Sequence, residues 1–201
     1  MDSDLSESLA ALRAAFQKRR IPVSFGKADA ELVQSLRQTL KLPRRYREFL
    51  LESDPIAAES RTPSESIRLL PALELLDEQK GFALTESGER CDKPLAHGWR
   101  SSWIIIAHST VLGDPYFLDT ARLDAEGDCA VFTAMSGTEH WKPRLCASSF
   151  ALFLRIVAVG LELGQGFAAD ADSEDEAVFR ESLGPRIREY DPAALKAGHW
   201  T

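Results

Sequence analysis

The chain has 201 residues, 44% of them hydrophobic and 27% charged, enough to bury a proper core and too apolar for wholesale disorder. Its formal net charge of −7 speaks against a general nucleic-acid binder, which needs a basic surface to neutralise phosphates. Three cysteines, Cys91, Cys129 and Cys146, are widely spaced and odd in number, which argues against a disulfide framework and fits a reducing compartment.

Charge is unevenly spread. The first fifty residues hold ten Lys/Arg against six Asp/Glu, so the remainder carries the negative excess, and a molecule of two signs can steer a charged partner to one face. The opening "MDSDLSESL" is acidic and polar, without the basic and apolar regions of a secretory leader. The most apolar helical stretch, residues 150–163, is interrupted by Arg155 and Glu162 and is too short to span a bilayer. A soluble, cytoplasmic protein without membrane association is expected.

Leu5, Leu9, Leu12 and Phe16 recur at helical spacing behind Ser3 or Asp4 as N-cap, and Leu32, Val33, Leu36 and Leu40 mark a second helix. Pro43 suits the first position of a third helix, with Tyr46, Phe49 and Leu50 on one face and an end near Ser53 set by Pro55. "SIRLLP" (66–71) reads as a short strand, 72–84 as a helix or helical turn closing near Gly81, and 85–98 as a loop. Strands follow at 103–107, 116–119 and 130–134, with "DAEGD" (124–128) turning between the last two. Gly113-Asp114-Pro115 builds a tight turn between the first two. In the middle strand Tyr116 and Leu118 share one face while Phe117 and Asp119 take the other. Ser148 or Ser149 caps a last core helix with Phe150, Phe153, Leu154 and Val157 on one stripe. After Gly164 and Gly166, two weak helices at 176–183 and 192–196 finish an acidic C-terminal extension, 165–201, of a single domain spanning 1–201. Helices, then closely spaced strands, then a helix predict an α+β fold with a mainly antiparallel sheet flanked by helices.

No catalytic constellation stands out. The four histidines, His97, His108, His140 and His199, form no His-x-x-x-His pair and have no flanking carboxylate at ligand spacing, so no metal centre is expected. Five carboxylates crowd positions 170–176, but the run lacks the glycine and glutamate that a calcium loop needs and reads as a solvated helix start. No phosphate-binding glycine motif occurs, so no cofactor is indicated, and "SSF" at 148–150 lacks the glycine frame of a nucleophile elbow. Asp114 and Asp119 with His108 or His140 are the groups available to a hydrolase; turn and strand-end roles account for both aspartates.

Three stretches come in a telling order: "LPRRYREFLL" (42–51), "WIIIAHSTVLGDPYFLDT" (103–120) and "HWKPRLCASSFALFL" (140–154). Together they resemble the SMI1/KNR4, or SUKH, superfamily over about residues 28–160. The matching positions are Leu42, Pro43, Tyr46, Phe49 and Leu50; then Ile104, Ile106 and Ala107; then Gly113, Asp114, Tyr116, Phe117, Leu118 and Asp119; then Trp141, Ala147, Ser149, Phe150, Phe153 and Leu154. The chain departs from the family pattern after the third helix, where Ser53-Asp54-Pro55 replaces a glycine-bearing pair, and at Leu112-Gly113, where Gly-Gly is common.

The resemblance implies a domain that works by binding, with no catalytic residue. Many bacterial members look like immunity proteins that neutralise a cognate toxin in the cytoplasm; fungal relatives act in cell-wall and signalling regulation, so a regulatory scaffold is the alternative. An acidic inhibitor suits a basic nuclease toxin, because opposite potentials speed association. The candidate partner contacts are Trp103, His108, Asp114, Tyr116, Asp119, His140 and Trp141, with Asp170, Asp172, Glu174, Asp175 and Glu176 of the acidic run. Direct contact with nucleic acid is not expected.

Overall fold

The computed structural model describes residues 3–91, 98–168 and 171–201. The stripe Leu5, Leu9, Leu12 and Phe16 is buried along α1 (Ser3–Lys18), which packs on α5 (Phe150–Leu163). α2 (Ala30–Leu40) opens with the Asp29 side chain accepting the Leu32 N–H and closes at Lys41 in the left-handed conformation. α3 (Arg44–Ser53) starts one residue later than the sequence suggests, with Pro43 at the N-cap. Its Tyr46 and Phe49 meet the Phe150 ring edge-on, which joins α3 to the start of α5.

β1 (Ser24–Gly26) and β2 (Asp54–Ile56) form a small antiparallel ribbon. The main sheet is an antiparallel meander in chain order: β3 (Glu59–Arg61), β4 (Ser66–Leu69), β5 (Trp103–Ser109), β6 (Pro115–Asp119), β7 (Val131–Thr133) and β8 (Arg144–Ala147). The fold is thus α+β, as expected. β6 is buried along its whole length and carries the two faces read from its alternation. Tyr116 meets Phe153 of α5 on one side, while Phe117 lies among Trp99, Trp103 and Phe132 on the other.

The 72–84 stretch is helical only over α4 (Leu75–Glu78). Gln79, wholly buried, explains the early stop: its carboxamide accepts the Ile105 N–H at 2.9 Å and donates to the Ile105 and Leu75 carbonyls, both at 3.0 Å. The side chain thereby serves the β5 backbone beside the register shift between Ile105 and Ala107.

The helix expected at 176–183 is longer, an 18-residue helix α6 (Ser173–Tyr190) with Pro185 inside it, and the one expected at 192–196 is present at those bounds. Gly184-Pro185 reads as a breaker, but buried Phe179, Leu183 and Ile187 hold one stripe through it, and α6 packs on α5. Asp172 and Asp175 form a capping box at its start. The turn into α7 (Pro192–Lys196) is fixed by Asp191, which accepts the Ser148 hydroxyl at 2.8 Å and the Ala194 N–H at 3.0 Å. Trp200 then donates its indole N–H to the Cys146 carbonyl on β8 at 2.8 Å, so the C-terminal residues close over that strand. Among the described residues no helix is long and apolar enough to cross a membrane.

Beneath α5 lies a buried charge. Asp128 accepts the N–H of Cys129 at 2.7 Å, of Phe150 at 3.1 Å and of Ala151 at 3.4 Å, with an Arg45 nitrogen 3.6 Å away. Arg45 is itself buried and also pairs with Glu126. Burial pushes the Asp128 carboxyl above the usual carboxylate range, and the three N–H donors and Arg45 oppose that shift. The turn beneath it needs a glycine: Gly127 has φ +73°, and a Cβ there would stand 3.1 Å from Arg44 Cβ. Replacing Asp128 by Ala orphans these donors and strips Arg45 of a partner, so Asp128→Ala should lower stability by about 3 kcal/mol or more in urea unfolding. A loss under about 1 kcal/mol contradicts this assignment.

Candidate functional site

A groove of about 500 Å³ opens where β5 turns into β6. The turn is set by Gly113 at φ +73°, with the Gly113 N–H on the Ser109 carbonyl at 3.0 Å and the Ser109 N–H on the Asp114 carbonyl at 2.8 Å. Asp114 then reaches across to the segment after β7, accepting the Ser136 N–H at 2.7 Å, while the Ser136 hydroxyl donates to the Gly113 carbonyl at 2.9 Å. This pair of bonds holds the hairpin beside residues 133–140 and brings the sequence candidates Asp114 and His140 to one groove. Leu112 and Met135, 66% and 61% exposed, lie on its lining with Glu139, Lys142 and Arg144.

The inner wall comes from distant parts of the chain. Glu65 accepts the Tyr116 hydroxyl at 2.9 Å, the Ser109 hydroxyl at 2.7 Å and the Ser66 N–H at 2.9 Å. Tyr116 spends its one proton on that carboxylate, so His199 Nε2, 3.0 Å from the same phenol oxygen, is the protonated nitrogen and Nδ1 keeps a lone pair. Burial pushes the Tyr116 pKa well up, with Glu65 adding to it. Burial, then Arg144 and Arg180, pulls His199 down to about 4, so its ring is neutral at physiological pH. Arg180 donates to the His199 carbonyl at 3.3 Å and pairs with Glu176 at 2.8 Å, which ties the acidic start of α6 to the groove.

The remaining sequence candidates fall elsewhere. Trp103 is a core residue that lines a second cavity, of about 310 Å³, with Asp119, Trp141 and Arg122. Asp119 is buried and accepts the Ser102 hydroxyl at 3.1 Å and the Ala121 N–H at 3.3 Å. His108 faces Glu78 at 2.8 Å, outside both cavities. Asp114 and Asp119 sit at opposite ends of β6, roughly 16 Å apart at strand rise, too far for the paired carboxylates of a hydrolase. Asp172 and Asp175 serve the helix cap, Glu176 pairs with Arg180, Glu174 points to solvent, and Asp170 lies outside the described residues. Among the described residues no cluster of His, Cys, Asp and Glu is arranged to hold a metal ion. Sequence reasoning passed over Glu65, Arg144, Arg180 and His199, since no local spacing links residues 65, 116, 144, 180 and 199.

A neutral, depressed histidine has a signed consequence. The unfolded state binds a proton near pH 6.5 that the folded state takes only near pH 4, so this contribution to stability is complete above pH 6.5 and is lost as pH falls towards 4. Its size is about 2 kcal/mol once the partial exposure of the ring is discounted. Titration of the imidazole C–H resonances should give His199 a midpoint near 4, and His199→Gln should remove this part of the acid sensitivity. A His199 midpoint at or above about 6.5 contradicts the assignment.

The model of the SMI1 / KNR4 family (SUKH-1) matches residues 27–156, from just before α2 into the middle of α5. That span includes the hairpin, the 133–144 segment and Glu65, and leaves Arg180 and His199 outside. No curated protein matches the chain. With the match covering most of its length, the chain belongs to the SMI1/KNR4 (SUKH-1) family.

Proposed function

We propose that this protein acts by binding rather than catalysis, as a cytoplasmic immunity protein that neutralises a cognate toxin by direct contact. Membership of the SMI1/KNR4 (SUKH-1) family is the observation that carries the reading. Support for the groove as the contact comes from its make-up: two exposed apolar side chains, Leu112 and Met135, beside charged neighbours, the usual division of an interface into anchor and rim. The acidic start of α6 borders it, and a chain of net −7 favours a basic toxin such as a nuclease by complementary potential. In this reading residues 28–160 form the binding core, and the extension 165–201 completes the groove through Arg180 and His199 within one domain.

The test is co-expression with the product of the adjacent reading frame in a sensitive host. Growth rescue together with a co-purifying complex is the expected result; a toxic neighbour that kills despite this protein overturns the reading for that pair. In such a complex Leu112→Asp with Met135→Asp should weaken binding at least about tenfold while Tm moves by no more than about 2 °C, since both side chains are exposed. Asp114→Asn should cost about 1 kcal/mol of stability, through the weakened bond to the Ser136 N–H, with no enzymatic activity to lose.

A further inference from the structure

The second cavity, of about 310 Å³, is built at one end of the β5–β6 pair. Trp103 and Asp119 are Cα partners across these two strands, so both side chains fall on one face of the sheet. Phe132 and Trp141, both half-buried, add ring surface from β7 and from the segment before β8. Trp99 backs this lining, its ring centroid 5.5 Å from Trp103 and 5.2 Å from Trp141, while Phe117 lies 5.1 Å from Trp103 and 6.0 Å from Phe132. The core therefore holds the aromatic lining in place.

Three polar groups meet that lining. Asp119 is only 6% exposed, and its Oδ1 is committed to the Ser102 hydroxyl and the Ala121 N–H. Beside its Oδ2 stands only Arg122 Nε among the described residues, at 3.7 Å, on a side chain that is 77% exposed. An acceptor in the cavity wall is thus left without a full hydrogen bond, in surroundings where a bond is worth more than in water. Arg100 lays its guanidinium over the Trp103 ring at 5.3 Å, and Arg100 and Arg122 both line the cavity from exposed positions.

These groups restrict the occupant by more than charge. A purely apolar ligand would bury the Asp119 carboxylate without a donor, and a cationic one would meet Arg100 and Arg122. A planar ring carrying an N–H donor and an anionic substituent answers every part: ring faces for stacking, Oδ2 for the N–H, and guanidinium forks for the anion. A cavity of this size takes one such molecule. We propose that it binds a nucleoside monophosphate, whose base stacks on the aromatic lining and donates an N–H to Asp119 while its phosphate meets Arg100 and Arg122. No glycine loop is needed, since guanidinium groups supply the donors that such a loop takes from its backbone. A free nucleotide fits better than a nucleic-acid strand, because a longer phosphodiester chain would run onto a molecule of net −7. The groove opens at the Pro115 end of β6 and this cavity lies at the Asp119 end, so the two sites are separate and this inference does not depend on the toxin reading.

Isothermal titration calorimetry with guanosine monophosphate is the test, since guanine presents N–H donors on one edge. Binding to the wild-type protein is expected with a Kd below about 1 mM. Purine riboside monophosphate, whose base edge carries no N–H, and guanosine, which has no phosphate, should each bind at least about tenfold more weakly. This ligand series needs no variant. Arg100→Gln/Arg122→Gln should also weaken the nucleotide at least about tenfold, whereas Lys18→Gln/Arg188→Gln, which removes equal charge from exposed positions elsewhere, should change it less than about twofold. Absence of wild-type binding, equal affinity for purine riboside monophosphate, equal weakening in the control variant, inorganic phosphate binding as tightly, or tighter binding of a 5′-phosphorylated single-stranded oligonucleotide each overturns the proposal. Toxin rescue that persists in the cavity variant leaves the immunity reading intact, and nucleotide binding that persists in the Leu112→Asp/Met135→Asp variant leaves this one intact.

Discussion

One buried carboxylate decides where the longest apolar helix of the core begins. Asp128 lies at the end of a glycine turn and takes the first backbone donors of α5, while Arg45 brings α3 to the same point. Helix starts leave N–H groups without internal partners, and burying them without acceptors costs more than the net value of the bonds. Satisfying them from the 124–128 turn therefore fixes three pieces of chain at once. The Phe150 ring then packs against Tyr46 and Phe49, and one turn later Phe153 packs against Tyr116. The face of β6 that backs the groove is thus held by a polar contact at the far end of the strand.

The groove repeats that logic with different parts. Its rim is local, a hairpin stapled to the 133–140 segment through Asp114 and Ser136. Its wall is assembled from the residues just before β4, from β7, β8 and α6, and from the C-terminal residues, with Glu65 and His199 meeting at the buried Tyr116. Arg180 and His199 lie beyond the family-matched span, so the groove joins residues inside that span to α6 and the C-terminal residues.

The elements visible in the sequence are those whose burial follows a period. α1, α2, α3 and α5 announce themselves through leucines and phenylalanines at helical spacing, and β6 through alternation that places Tyr116 and Phe117 on opposite faces. β1, β2, β3 and β8 have three or four residues each, too few for a period to show, and they exist because a neighbouring strand accepts them. Gln79 carries no sequence signal of its burial, since a polar residue after a short helix looks like surface until the β5 backbone needs its amide. The acidic run was legible as a helix start, but not as the first turn of an 18-residue helix, because tertiary packing overrides the Gly184-Pro185 signal. Of the candidate contacts, Asp114 and His140 were reachable from their turn and aromatic surroundings. Glu65 and His199 were not, because their meeting at Tyr116 spans the length of the chain.

The most direct test of the proposed groove contact is hydrogen exchange of the amides, measured for the free protein and for its complex with the partner that co-expression identifies. Added protection should fall on residues 109–116 and 133–145 and on the C-terminal residues that carry His199, with the cavity beside Trp103 and Trp141 unchanged. Protection confined to that second cavity, or to α1, with the hairpin exchanging as in the free protein, would contradict the account.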